Sequence, residues 1–346
     1  MEHRNKVYWA AREKAIMFYP KFRIYEFPEG EETFQCLSNL VAGRVFYLEP
    51  NKMLHSLILD EDGKIVDIVY VMMFEDKFWL LTSYDNPKVK SYIEKVMSGV
   101  EITELTDEWK IVGIEGPYSW RVVKSIISWD IVGLPYLRFL ESQIGDNEVV
   151  VTRSGITGEY GYRIFVRKEA LEQALQKISE FEEFDLAEVT EDIYDEMFHL
   201  LSAEVRFPTY GYMVDSGGSP IAYELRWMID FRKESYLGKE KIEKMKFEYE
   251  KRLVGIVCEE KDLSEDEVKN IVQHGKIYIE DLRVGEVKKF LYSLKLGRYI
   301  GFGLFNKEWG YAGISEYYIK INDRKINMKT VSTPFFVTES NNVTIE

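Results

Sequence analysis

A glycine-punctuated segment at residues 153–162 constrains the fold of this chain more than any other feature. It contains Gly155, Gly158 and Gly161 together with Thr157 and Glu159, and apolar runs at 149–151 and 164–166 flank it. Glycines at this spacing permit positive φ angles and close approach of the backbone to a ligand or another strand. The pattern predicts a tight connection between two strands, in which Glu159 could cap a helix or accept hydrogen bonds from a flat heterocycle.

Chain length and charge exclude several classes of protein. The 346 residues are 46% hydrophobic, which is enough for two or three domains with buried cores. The formal net charge of −14 leaves no basic face for nucleic acid and disfavours an anionic membrane surface. No apolar run approaches the roughly 18 residues that span a bilayer, and the polar N-terminus lacks the apolar core of a signal peptide. We therefore expect a cytoplasmic protein without nucleic-acid or membrane partners.

Cysteine and histidine usage gives no indication of a metal site. Cys36 and Cys258 are far apart in sequence and lie among apolar residues, which is typical of buried, reduced thiols. The four histidines have no metal-ligand spacing. We predict no metal and no disulfide.

The pattern of apolar residues predicts an α+β fold with a small C-terminal β-barrel. Helical spacing is expected at 5–18, 31–40, 87–97, 118–127, 168–181 and 192–201, and strand-like runs at 45–48, 54–59, 65–74, 78–82, 101–105 and 109–114. This mixture favours α+β layers over a doubly wound parallel sheet. Six short strands follow, at 253–257, 276–279, 285–293, 299–304, 316–321 and 325–330.

These boundaries predict a domain organisation. Residues 1–245 would form a core of two α+β subdomains, one of them at 45–130, and residues 246–346 would form the barrel. The acidic, helix-like run at 243–251 marks the expected junction.

Several motifs occur in the order used by one known family. Residues 153–163 resemble R-x-G-Y-T-G-E-x-G-Y/F-E, residues 59–67 resemble L-N-x-x-G-G-I-I-D-D, and residues 114–117 resemble L-Q-G-P. Further along, residues 201–211 resemble L-R-L-E-x-G-x-P-L-Y-G, and residues 227–240 resemble W-x-V-x…F-I-G-K-E. Together they resemble the glycine-cleavage T-protein (aminomethyltransferase) superfamily. The resemblance spans residues 34–336 and implies a three-domain cloverleaf around a folate site.

The resemblance implies a tetrahydrofolate-dependent one-carbon transferase. Such an enzyme moves an aminomethyl or methyl group from a small-molecule donor, or from a lipoyl carrier protein, to tetrahydrofolate. A tetrahydrofolate-dependent demethylase of methoxy or sulfonium substrates is an alternative. A non-catalytic folate-binding protein of the iron–sulfur maturation type is another, although Ser235 replaces the cysteine of that branch's K-G-C-Y-x-G-Q-E motif.

The resemblance also assigns cofactor-binding residues. Glu204 occupies the position of the glutamate that accepts hydrogen bonds from the pterin, where paired charge-assisted bonds would supply affinity and orientation. Aromatic rings that could sandwich the pterin are Tyr162, Tyr210 and Trp227. Cations that could bind the glutamate tail of folate are Arg232 and Lys239, and solvated surface charges are an equal alternative for both.

The catalytic position leaves two registers open. Without a gap, Asp67 matches the first aspartate of the family pair and Ile68 matches the second, catalytic one. A shift of one residue would place Asp67 itself at the catalytic position, and Asp67 is our candidate catalytic residue, with a solvated aspartate at the start of a strand as an equal alternative. Because adjacent residues of a strand face opposite sides, the register decides which side chain meets the ligand. The chain also departs from the family pattern by carrying Ser83, Ile156, Arg163 and Ser202 where the motifs have Asn, Tyr, Glu and Arg.

Overall fold

The computed structural model describes residues 2–127, 130–321 and 324–346. Its α-helices are α1 (Glu2–Glu13), α2 (Glu31–Leu40), α3 (Lys88–Val96), α4 (Ser119–Ile126), α5 (Leu171–Ser179), α6 (Glu191–Val205), α7 (Lys239–Met245) and α8 (Glu265–His274). Short 3-10 helices occur at Val45–Tyr47, Lys168–Ala170, Arg226–Met228, Lys307–Trp309 and Glu339–Asn341. Within the described ranges, no helix is long and apolar enough to cross a membrane.

Three sheets organise the strands. In chain order these are β1 (Ile16–Phe18), β2 (Phe22–Pro28), β3 (Lys52–Leu59), β4 (Ile65–Met73), β5 (Lys77–Ser83), β6 (Thr103–Glu104), β7 (Trp109–Glu115), β8 (Phe139–Ile144), β9 (Asn147–Arg153), β10 (Gly161–Arg167), β11 (Ala187–Glu188), β12 (Lys251–Cys258), β13 (Lys276–Ile279), β14 (Leu282–Ser293), β15 (Arg298–Asn306), β16 (Tyr317–Ile321) and β17 (Arg324–Val331). This mixed fold confirms the predicted α+β class.

Two of the sheets pack against each other in the N-terminal part. One has the strand order β3-β4-β5-β2-β6, and the other has β11-β1-β7-β10-β9-β8. Their facing sides share an aromatic-rich core. The ring centroid of Trp79 in the first sheet lies 5.0 Å from that of Trp109 and 5.8 Å from that of Phe165, both in the second sheet. The outer face of the first sheet packs on α2 and α3, and that of the second packs on α4 and α5. Alternation along the strands supplies both faces with apolar residues, so each sheet is buried on two sides.

The third sheet is a closed barrel in the order β12-β15-β14-β13-β16-β17. All six of the C-terminal strands predicted from spacing are present, because each pairs with two neighbours and turn residues separate them. Helix α8 was not predicted. Its first turn has a capping box in which Ser264 and Glu267 exchange hydrogen bonds with each other's backbone.

Some elements differ from the sequence predictions. Residues 45–48 were expected to form a strand, but Val45–Tyr47 is a 3-10 helix with Phe46 and Tyr47 exposed. The helix expected at 5–18 ends at Glu13, because Ile16–Phe18 pairs with β7 and β11. The junction helix is Lys239–Met245 rather than 243–251, where β12 already begins. The division of residues 1–245 into two subdomains stays a prediction.

Candidate functional site

A cavity of about 580 Å³ lies where the two packed sheets meet α6 and the loop that follows it. Its walls come from the end of β1 and the next loop, from β3, β4 and the end of β5, from β10, and from residues 207–212. Small-molecule sites commonly have this size and an apolar lining with a few polar groups. The cavity is therefore the candidate ligand site of the protein.

A stack of three rings forms one wall of the cavity. His55 lies parallel to Tyr70 at a centroid distance of 4.4 Å and to Phe207 at 5.4 Å. Burial, reinforced by the nearby Arg163 guanidinium, lowers the pKa of His55 to about 3. His55 is therefore neutral near pH 7 and, as the buried middle ring of the stack, packs between Tyr70 and Phe207 rather than supplying a proton.

Asp67 lies behind the cavity wall, and its neighbours Ile68 and Ser83 line the cavity. The carboxylate is fully buried and accepts hydrogen bonds from the Ser83 hydroxyl at 2.6 Å, the Ser83 amide at 2.9 Å and the Ile68 amide at 2.8 Å. Burial raises the pKa of Asp67 to about 6 despite these bonds. Asp67 thus contacts the cavity through the Ser83 hydroxyl rather than directly.

Glu204 lies in a buried polar cluster and does not line the cavity. Its carboxylate accepts hydrogen bonds from the Tyr8 hydroxyl at 2.7 Å, the Ser293 hydroxyl at 2.5 Å and the Arg12 guanidinium at 2.7 Å. Arg12 is itself buried, and it also donates to the carbonyl oxygen of Leu201 at 3.1 Å. The predicted role of Glu204 as a pterin anchor would require Arg12 to leave this carboxylate.

The glycine-rich segment packs against protein. A Cβ atom on Gly161 would lie 2.3 Å from the Cα of Gly155, and Gly158 has a φ of +80° with Val205 packed against it. Glu159 accepts hydrogen bonds from the amide and hydroxyl of Ser340 at 2.8 and 2.7 Å, so it holds the C-terminal tail. These glycines serve the close approach of chain segments.

The three aromatic candidates take different positions. Tyr162 is fully buried in the core between the second sheet and α4, away from the cavity lining. Its position does not support the predicted stacking role, because alternation along β10 turns Arg163 rather than Tyr162 toward the cavity. Tyr210 lines the cavity, and the exposed Trp227 lies edge-on to His55 at 5.9 Å.

Neither predicted tail-binding cation lines the cavity. The Arg232 side chain is largely exposed and lies 3.5 Å from Asp230. Lys239 donates to the carbonyl oxygen of Glu234 at 3.1 Å and lies 3.5 Å from Glu243. Binding of the folate tail by these residues stays a prediction. Among the described residues, no cluster of three or more metal-ligating side chains occurs.

Sequence reasoning did not assign His55, Phe207, Ser83 or Arg163 to the site. Ser83 and Arg163 differ from the residues of the family motifs, and this difference was the sequence feature that could have indicated their place in the site. His55 lies in none of the motifs and Phe207 takes an unspecified position of the motif at 201–211, so only the tertiary fold places them in one stack.

The fold and cavity define an α+β protein whose candidate ligand site is assembled from strands of two separate sheets. Two family models match this chain: the GCVT N-terminal domain over residues 4–233 and the glycine cleavage T-protein C-terminal barrel domain over residues 251–336. The chain therefore belongs to the glycine cleavage T-protein family.

Similar proteins match this chain over most of their length. The aminomethyltransferase of Natranaerobius thermophilus is 27% identical over 317 residues, covering 89% of this chain and 83% of the relative. That of Thermosipho melanesiensis is 23% identical over 315 residues, covering 89% and 82%. The crystal structure of the glycine cleavage system aminomethyltransferase T from Bartonella henselae superimposes with a TM-score of 0.80 at 18% identity, covering 96% of this chain and 89% of that chain. At this identity the structural match concerns the fold.

Proposed function

We propose that this protein is a tetrahydrofolate-dependent one-carbon transferase of the aminomethyltransferase type. The cavity of about 580 Å³, in a chain of this family, is the observation that carries the proposal. Its volume accommodates the two fused rings of a reduced pterin, and Phe207, the end ring of the stack, lines the cavity and offers a flat surface for stacking. The relatives named aminomethyltransferase support the reaction type.

In this proposal the protein acts mainly by holding the folate nitrogen against the donor carbon. Positioning of two reactants in one site, with water excluded, supplies much of the rate of such a transfer. The aromatic stack fixes the plane of the pterin, and the neutral His55 adds no positive charge beside the developing charge at the transferred carbon. The donor would be an aminomethyl or methyl compound, either free or carried on a lipoyl protein.

Ser83 is the polar group that we propose to meet the reacting nitrogen. Its hydroxyl proton points to Asp67, so the oxygen lone pairs are free to accept a hydrogen bond from a ligand N–H. The buried carboxylate of Asp67 then orients the hydroxyl and strengthens it as an acceptor. Asp67 is in this account a positioning residue, and Ser83 is the residue that touches the ligand.

In this proposal, polar groups that line the cavity form the hydrogen bonds to the edge of the pterin. Glu204 would serve as the anchor only in a form of the protein in which Arg12 has moved away, because its carboxylate is already bound by Arg12, Tyr8 and Ser293. Carboxylates that line the cavity are Asp85, Glu191 and Asp195, and they are candidates to accept from the 2-amino group.

A folate-binding protein without transfer activity is the second candidate. The specific observation in its favour is that Ile68, rather than Asp67, lines the cavity. The sequence left open whether Asp67 or Ile68 occupies the catalytic position. An isoleucine there would favour binding without transfer, because an apolar side chain cannot accept a proton.

A transfer assay distinguishes the two candidates. The protein is incubated anaerobically with tetrahydrofolate and, in turn, an aminomethylated lipoyl carrier, a methylsulfonium compound and an aryl methyl ether, and the folate product is quantified. We expect a one-carbon folate with one of these donors, and a loss of at least about tenfold in rate for Ser83→Ala but none for the exposed Ser98→Ala. Saturable folate binding with no product from any donor would favour the binding protein.

A further inference from the structure

We propose that Arg163 forms an anion subsite in the cavity and that the ligand presents a carboxylate to it. The inference rests on the proposed function only in that the cavity is taken as a ligand site. Arg163 lies on β10, lines the cavity and is 2% exposed. Within the described residues, no carboxylate oxygen lies within 4.0 Å of its guanidinium, in contrast to Arg12.

The guanidinium has hydrogen-bonding capacity left over. Its Nη1 donates to the carbonyl oxygen of Ser154 and to the Ser154 hydroxyl at 2.7 Å. Its Nε is buried and has no hydrogen-bond partner. An arginine has five N–H donors in a fixed fork, and a buried cation is costly unless its donors and charge are satisfied. A carboxylate in the cavity would satisfy both.

Aromatic rings fix the orientation of this fork. The guanidinium carbon lies 5.3 Å from the centroid of Phe22 and 5.5 Å from that of Tyr70, and both rings line the cavity. Contacts of this kind stabilise a buried cation in the absence of an anion and hold its plane. The cation is therefore preorganised at the wall that also carries the ring stack.

Glu115 is the nearest competing explanation for the charge. It lies on β7, on the same face of the sheet, where Gly113 pairs with Arg163 and Glu115 pairs with Gly161. One carboxylate oxygen accepts from the amides of Ile156 and Thr157, each at 2.9 Å, and the other has no partner. Burial raises the pKa of Glu115, although Arg163 opposes the shift. Glu115 offsets the charge through space but leaves the Nε of Arg163 without a hydrogen-bond partner.

The rest of the lining limits the kind of anion. Lys21 is the other cationic side chain among the described lining residues, and its ammonium is paired with Glu191 at 2.8 Å. Asp85 and Asp195 also line the cavity, so a polyphosphate would meet like charges there. A single carboxylate attached to a flat or small group fits this charge distribution. It could belong to the glutamate tail of folate or to a separate carboxylate-bearing one-carbon donor.

Calorimetric titration with three probes separates these sources. The probes are tetrahydrofolate, 6-methyltetrahydropterin, which has no carboxylate, and acetate or glycine. We compare the wild-type protein with Arg163→Met and with Arg121→Met, an exposed arginine paired with Glu183 as a matched control. Because Arg163→Met removes a charge-assisted contact, it should lower the affinity for the carboxylate probe that binds there about 10- to 100-fold.

Each outcome has a definite meaning. If only tetrahydrofolate loses affinity in Arg163→Met, the subsite holds the folate tail; if only acetate or glycine does, it holds the donor. Unchanged affinity for all three probes would overturn the subsite while leaving folate binding intact. The protein could instead bind acetate or glycine in an Arg163-dependent way and bind no tetrahydrofolate. That result would contradict the proposed function and support the anion subsite.

A second measurement follows ligand binding in the wild-type protein and needs only a conservative variant, for the assignment. In ¹⁵N-labelled wild-type protein the Arg163 Nε–H resonance, assigned by its absence in Arg163→Lys, should shift on addition of the carboxylate that binds. No shift with any of the carboxylate probes would contradict the proposal.

Discussion

At the scale of single residues, the buried arginines Arg12 and Arg163 have different surroundings and different expected roles. Arg12 and Glu204 neutralise each other in a cluster that joins α1, the end of α6 and the barrel strand β14. Arg163 has no such partner among the described residues and lines the cavity instead. We expect the Arg12–Glu204 pair to contribute to the free energy of unfolding and Arg163 to contribute to ligand affinity.

Arg12→Met should reduce the free energy of unfolding by about 3–5 kcal/mol, because it leaves the Glu204 carboxylate buried without its counter-ion. Arg4, which lies on α1 like Arg12, forms a partly exposed pair with Glu196 of α6 and provides the control, and Arg4→Met should cost at most about 1 kcal/mol. Denaturant unfolding measures both. Equal losses for the two variants would mean that the buried pair contributes no more than a surface pair.

Asp67 should make stability depend on pH in a defined window. Its pKa in the folded protein is about 6 against an ordinary value of 3.8, so the folded state holds the proton more tightly than the unfolded state. Its contribution is complete below pH 3.8 and is lost as the pH rises to about 6, at up to about 1.4 kcal/mol per pH unit.

Comparison of the wild-type protein with Asp67→Asn isolates this contribution, because the other titrating groups cancel in the difference. The wild-type protein should lose stability relative to the variant as the pH rises through that window. A difference that stays constant there would show that Asp67 titrates near its ordinary value in the folded state.

At the scale of elements, local pattern predicted the barrel strands but not helix α8, although the capping box of that helix is also a local signal. The barrel strands were found because turn residues separate runs of β-branched and aromatic side chains. Strand β1 was missed because only its pairing with β7 and β11 makes three residues into a strand. Residues 45–48 were wrongly expected to be a strand because their apolar composition says nothing about the exposure of Phe46 and Tyr47.

The unpredicted helix α8 provides a test of local determinants. Ser264→Ala removes the hydroxyl that caps the Glu267 amide at 3.2 Å and should cost about 1 kcal/mol. Thermal unfolding gives the stability, and hydrogen exchange of the first turn of α8 localises the change. The exposed Ser98→Ala is the control. If α8 exchanges at the same rate in both variants, the capping box does not hold this helix.

At the scale of the whole molecule, the site could be predicted only in part. Motif order located the family and placed Glu204 at the end of α6, but the approach of α1 that supplies Arg12 to that carboxylate was not visible in any local pattern. The choice between Tyr162 and Arg163 depends on which face of β10 meets the cavity, and tertiary packing sets this. The cavity joins segments from residues 18 to 212, so its lining is a property of the assembled chain.

Binding of tetrahydrofolate in the cavity is the claim on which the proposed function depends most. Anaerobic calorimetric titration tests it with the wild-type protein, with Phe207→Ala, which removes one ring of the stack, and with the exposed Phe247→Ala as the matched control. We predict saturable binding that Phe207→Ala weakens about tenfold and Phe247→Ala leaves unchanged. Absence of binding at millimolar tetrahydrofolate, or equal affinity in all three proteins, would contradict the account.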